Sequence, residues 1–316
     1  MTEHPEPAQP AAPDPRPLRV TRGLVLVAGA VGLAAVLGGV MYHAVFRHER
    51  RPEPPPPPVP LSLVVDSAIG PVDVFHAGVW TPAAAGTVLH ATERVRTGEG
   101  GRARLRLSDG SSVVLEAATE TEVAALDRVL SRLRLGAGLV QADIADDPGR
   151  LFQLDLDDAG AAARTHGATF TVTSSGPGST AAVTAARGEV TVAARGREVV
   201  IRSGEITRVA PGAPPTAPAP LPTSLLLKVE WPDGRLRTHT LILDGRTEPG
   251  ARVQVEGRHV AVDRDGRYRA EVRLREGTNR LTVRARDVGG LTREEISPPL
   301  QVDSQTDFTV QMPRWK

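Results

Sequence analysis

Three groups of residues in this chain have side chains and spacings that could do chemistry. Asp155, Asp157 and Asp158 put three carboxylates within four residues, and paired carboxylates can act as acid and base in glycoside hydrolysis. Asp155 and Asp157, however, flank Leu156 in a strand-like alternation, which predicts charges on a solvated sheet edge that discourages edge pairing. Asp263 and Asp265 stand ahead of Gly266 as in a calcium loop. An EF-hand needs acidic or amide side chains at its first, third and fifth positions, Gly at the sixth and Glu at the twelfth. The spacing fails, and a hairpin turn accounts for the residues. His43 and His48 come nearest to a metal-ligand spacing, and their place beside an apolar segment predicts an interfacial, solvated role.

No metal and no cofactor is therefore expected, and no residue stands out as catalytic or as binding a particular ligand. No G-x-S-x-G elbow, no G-x-x-x-x-G-K-[ST] phosphate loop and no H-E-x-x-H helix occurs in the sequence. Cysteine is absent, which removes disulfides, thiolate zinc sites, cysteine nucleophiles and an acylated lipoprotein cysteine. The expectation is a protein that is not an enzyme. With 38 basic against 37 acidic side chains, nothing marks a nucleic-acid partner either.

The elements that would hold any site are separated by proline. Of the 28 prolines, 19 fall in three stretches, Pro5 to Pro17, Pro52 to Pro60 and Pro211 to Pro222. Proline lacks a backbone donor and favours polyproline II, so these read as a disordered tail and two stiff spacers. Leu24 to Phe46 is 23 residues without a charge, enough for a membrane helix of about 20. A cleavable signal peptide would need a shorter apolar run and a small-x-small site, and Tyr42 spoils the best candidate. Ala28 and Gly32, like Ala34 and Gly38, have the spacing of close-packed membrane helices, although a Gly/Ala-rich composition alone would produce such pairs. Arg16, Arg19 and Arg22 balance Arg47, Arg50 and Arg51, so charge leaves the orientation tied.

Beyond the second seam the period is two. Arg102 to Leu107 alternates guanidinium and apolar side chains, Ser108-Asp109-Gly110-Ser111 supplies a turn, and Val113 and Leu115 begin a return strand. Phe170 and Val172, Val190 and Val192, and Val199 to Arg202 continue the pattern. Glu120 to Leu133 also allows a helix, since Val123, Leu126, Leu130 and Leu133 fall at helical spacing. Gly70-Pro71-Val72-Asp73-Val74, Thr97-Gly98, Asp109-Gly110-Ser111, Gly136-Ala137-Gly138-Leu139-Val140, Gly167-Ala168-Thr169-Phe170-Thr171-Val172, Arg187-Gly188-Glu189-Val190-Thr191-Val192 and Ser203-Gly204-Glu205 together resemble a FecR domain. The resemblance covers about half the chain. Where the family usually has Gly-Thr two residues before the Phe, this chain has Ala168-Thr169, which predicts slightly different packing of that strand. The resemblance implies a periplasmic, β-rich receiving module of a signal-relay protein. The glycines themselves predict positive φ at strand ends, in turns or bulges.

From Ser224 onward short strands alternate with turns. The strands are Leu225 to Val229, Ala251 to Val255, Val260 to Val262, Tyr268 to Leu274 and Leu281 to Ala285. The turns are Pro232-Asp233-Gly234, Asp244-Gly245, Glu256-Gly257-Arg258, Asp263 to Gly266 and Gly277-Thr278-Asn279. That rhythm predicts a sandwich of about seven strands. Pro249-Gly250-Ala251-Arg252-Val253, Asp265-Gly266-Arg267-Tyr268 and Ala285-Arg286-Asp287 with Gly289-Gly290 resemble bacterial Ig-like modules, which implies the fold and no ligand.

The expected organisation is a Pro-rich cytoplasmic tail (1–23), a transmembrane helix (24–46), a linker (47–60), a FecR-like β domain (61–210), a Pro-rich linker (211–223), an Ig-like β-sandwich (224–311) and a short tail (312–316). The fold class is an all-β extracytoplasmic region preceded by one transmembrane helix. The protein is expected in a bacterial inner membrane, single-pass, with its N-terminus in the cytoplasm and its β domains in the periplasm. Two functions remain open. One is a non-catalytic envelope protein that binds a protein or polysaccharide partner outside the membrane. The other is a transducer that regulates a sigma factor inside. The short Pro-rich tail, with few apolar side chains to bury, favours the first.

Overall fold

The computed structural model describes residues 62–232 and 235–304, and every helix or strand element among them is a β-strand. The expected membrane span Leu24–Phe46, its flanks at 1–23 and 47–60, the tail 312–316, and Asp233 and Gly234 of an expected turn lie outside the described residues.

Sixteen strands precede residue 221. They are β1 (Leu63–Ile69), β2 (Val72–His76), β3 (Val79–Pro82), β4 (Val88–Leu89), β5 (Arg94–Thr97), β6 (Arg102–Leu107), β7 (Ser112–Leu115), β8 (Thr119–Leu126), β9 (Leu130–Ile144), β10 (Leu151–Leu156), β11 (Ala161–Thr165), β12 (Ala168–Ser174), β13 (Ala181–Ala194), β14 (Arg197–Arg202), β15 (Glu205–Val209) and β16 (Ala219–Pro220). They form two layers. The first runs β4-β1-β6-β7-β9-β12-β13-β15-β16, the second β3-β2-β5-β8-β9-β10-β11-β13-β14. Strands β9 and β13 belong to both. The early half of β9 pairs with β8 and β10 in the second layer, and Gly138–Ile144 pairs with β7 and β12 in the first. Strand β13 crosses in the other sense, pairing with β12 and β15 before its bend and with β11 and β14 after it.

Glycine makes both crossings possible. Gly138 has φ +130°, and a Cβ there would fall onto Thr119. Gly188 has φ +74°, and a Cβ would lie 2.5 Å from the carbonyl oxygen of Gly167. These glycines were expected at strand ends. They sit inside strands, where the absence of a side chain lets one strand turn a corner between layers. The core lies between the layers. Leu105, Val113, Leu115 and Val172 of the first face Val95, Leu135, Leu154 and Val192 of the second, all of them buried. The rings of Phe152 and Phe170 meet edge-on with centroids 6.0 Å apart.

The hairpin β6–β7 has the expected register, with Leu105 opposite Val113, and Arg102, Arg104 and Arg106 outward. Its turn is held by the Ser111 N–H donating to Asp109 Oδ1 at 2.9 Å. The helical alternative for Glu120 to Leu133 is not what forms. Strands β8 and β9 form a hairpin there, and a register shift between Val123 and Ala125 offsets the alternation so that Val123 and Leu126 fall three apart. Asp127 Oδ1 closes the turn by accepting from the N–H groups of Val129 and Leu130. Opposite the Ala168-Thr169 departure, it is β13 that bulges, with Ala186 left unpaired between the partners of Thr169 and Phe170.

The spacer from Pro211 to Pro222 is also different from expectation. It folds back along β15 and does not extend. Ala219 pairs opposite Ile206, Thr207 Oγ1 donates to the Thr216 carbonyl at 2.7 Å, and the Leu221 N–H donates to the Gly204 carbonyl at 3.0 Å. The non-proline residues of the segment supply the backbone donors that its prolines lack, and a layer's edge tolerates proline.

Ten strands follow. They are β17 (Leu227–Glu230), β18 (Arg235–Leu236), β19 (Thr240–Thr247), β20 (Arg252–Val255), β21 (Arg258–Val260), β22 (Arg267–Arg273), β23 (Gly277–Asn279), β24 (Thr282–Arg286), β25 (Thr292–Ile296) and β26 (Leu300–Val302). They make three small sheets, β17-β19-β22, β18-β26-β23 and β21-β20-β24-β25, around one core that includes Leu243, Val253, Tyr268, Val283 and Val302. Asp244-Gly245 is not a turn; both residues lie inside β19. Gly245 is opposite Tyr268, and a Cβ would collide with its phenol. The glycine thus makes room for a buried tyrosine whose hydroxyl donates to the Lys228 carbonyl at 3.3 Å and whose pKa burial pushes up to about 12. Gly277-Thr278-Asn279, expected as a turn, pairs with β26 instead.

The layer crossing can be tested at Gly188. Gly188→Ala should lower unfolding stability by about 2–4 kcal/mol, through positive φ and the clash with Gly167. Gly160→Ala, with φ +61° but open space around it, should cost about 1 kcal/mol. Urea unfolding of the two variants compares them, and equal losses would mean that the bend does not depend on close approach.

Candidate functional site at the junction of the two β regions

The outer face of the second layer carries the aspartates first considered as catalytic. Strand β10 lies between β9 and β11, so Asp155 is not on a sheet edge. Its carboxylate accepts from Arg132 Nε at 2.6 Å and from Gln153 Nε2 at 2.6 Å. The polar contacts continue on both sides. Asp73 pairs with Arg96, Arg94 with Glu120, Glu122 with Arg134, Arg134 approaches Asp157 at 3.8 Å, and Gln153 leads through Arg164 to Glu198. Arg94 and Arg96 stack on Phe75 and Trp80 at one end, 4.3 and 4.2 Å from the ring centroids. Burial pushes the carboxyls of Asp157 and Asp158 up, with Asp155 adding to the effect on Asp157 and Asp157 to that on Asp158. Strand register puts opposite charges beside one another across this face, and a carboxylate held by two donors is a cross-strand tie.

A second group of polar side chains, several of them buried, lies where the two β regions meet. Arg252, at the start of β20, is 8% exposed and donates to the Ala117 and Ala118 carbonyls at 2.9 and 3.1 Å. Burial, opposed by Glu99 and Glu116 and aided by Arg286, pulls its pKa down to about 10. Beside it, His259 Nδ1 contacts Glu99 Oε2 at 2.5 Å, and the His259 N–H donates to Glu99 Oε1 at 2.8 Å. The contact with Glu99 favours imidazolium, but burial first and the Arg252 charge second outweigh it and hold the His259 pKa below its ordinary value. A cleft of about 400 Å³ opens there, lined in part by Glu116, Leu139, Arg252, Gln254, His259 and Arg286.

A second set of contacts seats the turns before β20 and β22 on the first layer. Thr173 Oγ1 donates to the Gly250 carbonyl at 2.6 Å, Thr180 Oγ1 donates to the Arg264 carbonyl at 3.1 Å, and Arg208 bonds both the Pro249 carbonyl and Glu248. Gly250 has φ +86°, and a Cβ would stand 2.7 Å from the Cβ of Ala182. Ala182, Ile206 and Val288 form a small buried cluster here, with Leu221 of the former spacer against it. The two regions are therefore joined by a specific, largely polar junction. Alternation along Ala251 to Val255 puts Arg252 on an outward face. What the sequence does not reveal is that the Ala117-Ala118 bend between β7 and β8 covers that face. Asp263 belongs to a turn, its Oδ1 accepting from the N–H groups of Asp265 and Arg267.

Two outcomes follow from this geometry. Arg252→Ala strands two carbonyls and should cost about 2–4 kcal/mol, with faster hydrogen exchange at Ala117 to Thr119; unchanged exchange would remove Arg252 as a tie. A depressed histidine pKa means that the unfolded chain binds the extra proton first. Stability from His259 is therefore intact above pH 6.5 and declines as pH falls from there through the folded value. Unfolding midpoints between pH 7.5 and 5 should drop less in His259→Gln than in the parent, and parallel profiles would contradict the assignment.

With this geometry in view, residues 93–207 match the family model described as FecR protein. A search of curated proteins finds no match. Among solved structures, two crystal structures from Parabacteroides distasonis, each described as a candidate anti-sigma factor, are 19% and 16% identical, with TM-scores of 0.35 and 0.36. The alignments cover 39% and 46% of this chain and 59% and 68% of theirs, so the first spans under two thirds of that protein. A polysaccharide lyase is 11% identical over 76% of this chain and 40% of its own, with a TM-score of 0.19. Such scores carry no inference about this chain's activity. The family match runs from just before β5 into β15, and β1 and β2 extend the same two layers by pairing with β6 and β5. The chain thus contains a FecR domain, whose first layer is tied to the C-terminal β region through Arg252, Glu99 and Gly250.

Proposed function

We propose that this protein is a non-catalytic, FecR-domain protein of the bacterial envelope, anchored by Leu24 to Phe46, that acts by binding a protein or glycan partner outside the membrane. The observation that carries the reading is the FecR match over residues 93–207. The junction supports it physically. A partner that engages the C-terminal strands, read as an Ig-like sandwich, would pull directly on Arg252 and Gly250 and so on the FecR layer. Loops held by a rigid sheet scaffold are where binding usually resides. In this arrangement residues 61–316 lie in the periplasm and the N-terminus in the cytoplasm.

A second reading, favoured by the same family match, sends the signal inward to a sigma factor through the segment before the membrane span. Replacing residues 2–15 with an unrelated polar sequence, while Arg16, Arg19 and Arg22 are kept, separates the two. Contact outside the membrane predicts unchanged capture of cross-linked partners and unchanged transcription. Altered transcription of a defined gene set with capture intact would establish the inward relay. Protease added to intact spheroplasts should remove the β regions, and full protection of them would overturn the topology.

A further inference from the structure

A cleft of about 1230 Å³ lies between the free edges of two sheets in the C-terminal region. One wall is the β20–β21 hairpin and the other is β22; each of β21 and β22 is the terminal strand of its sheet. Backbone direction on β22 follows from its neighbours. The Thr247 N–H donates to the Gly266 carbonyl and the Leu274 N–H to the His239 carbonyl, both at 2.7 Å, so the even-numbered residues of β22 turn their polar groups towards β19. The odd-numbered ones turn away from it. Arg267 meets the Asp263 N–H at 2.9 Å, but Glu271 and Arg273 have no backbone partner on that side among the described residues.

The cleft is also strongly basic. Arg258, Arg269, Arg273, Arg275 and Arg280 line it, against Glu256 and Glu271. Arg269 is paired with Asp244. For the other four, no carboxylate among the described residues comes within 4.0 Å, and all four are exposed. A second copy of the chain does not suit this edge. Antiparallel pairing of β22 with itself about Glu271 would set Arg269 against Arg273 and Glu271 against Glu271, and like charges directly opposite are destabilising. A strand with carboxylates four residues apart and a neutral side chain between them meets both demands, offering backbone groups to Glu271 and Arg273 and charge to the arginines.

The geometry points to this cleft as a docking site for an extended acidic polypeptide segment of about five residues, added as a strand to the β22 edge. The inference names a partner class for the outer binding proposed above. A direct peptide measurement decides it without the capture and transcription assays that decide that reading.

The probe is a fluorescein-labelled, end-capped Glu-Val-Thr-Val-Glu peptide titrated into the full-length protein in detergent and followed by anisotropy. Saturable binding should weaken about tenfold or more in Arg273→Glu and in Arg275→Glu. It should weaken similarly when alternate peptide nitrogens are methylated, because methylation removes backbone donors and leaves charge unchanged. Arg273→Gln, with an unchanged thermal transition, should give a smaller loss and serves if the charge reversal disturbs folding. Absence of binding would overturn the proposal. So would a methylated peptide, or an oligogalacturonate of matched charge, that binds as well as the parent peptide, since either result would make the cleft a general polyanion site.

Discussion

Everything in the FecR portion depends on two strands that must lie in both layers at once. A fifteen-residue β9 and a fourteen-residue β13 could not each stay in one flat sheet and also pair with partners from both. Close approach at Gly138 and positive φ at Gly188 allow them to change layer without breaking their ladders. Once β9 and β13 are shared, the two inner faces are held in register across the core. The Phe152 and Phe170 rings, one from each layer, then have a fixed place to meet. The same constraint explains why β1 and β2, although they precede the family match, are integral, since each pairs with a strand inside the match.

Charge is used in two distinct ways on this frame. On the outer face of the second layer, acids and bases from successive strands stand side by side and the exposed pairs are each worth little, so the face is polar and mutually satisfied. At the junction Arg252, Thr173 and Thr180 are buried, and their hydrogen bonds matter far more. Arg252 holds two backbone carbonyls, and His259 holds both oxygens of Glu99. A buried guanidinium is tolerable when its donors are used. Its loss is costly for the same reason, which makes the junction a mechanically meaningful link between the two β regions.

Alternation, turn chemistry and composition, read from the residues alone, give strands over much of the two β regions, the β6–β7 hairpin and the Asp263 turn, because a strand's period of two is a local property. The run Arg102 to Leu107 decides its own faces. The FecR resemblance was likewise legible, carried by glycines whose spacing survives even where their geometric role was misread as strand ends. Asp244-Gly245 shows the limit. It has turn composition, yet Tyr268, distant in sequence, requires that glycine inside a strand.

Only the tertiary structure decided what covers each face. Arg252 reads as an outward-facing arginine, and it is one, until the Ala117-Ala118 segment closes over it. Asp155 reads as an edge charge, and it becomes a central-strand tie only when β11 takes its place beside β10. The Pro211 to Pro222 segment reads as an extended spacer because proline's preference is local, while the hydrogen bonds that fold it back along β15 come from partners that the chain brings near only once both layers exist. In each case the local backbone preference was expressed in the sequence, and the partner that gave it meaning lay across a non-local contact that no spacing along the chain encodes.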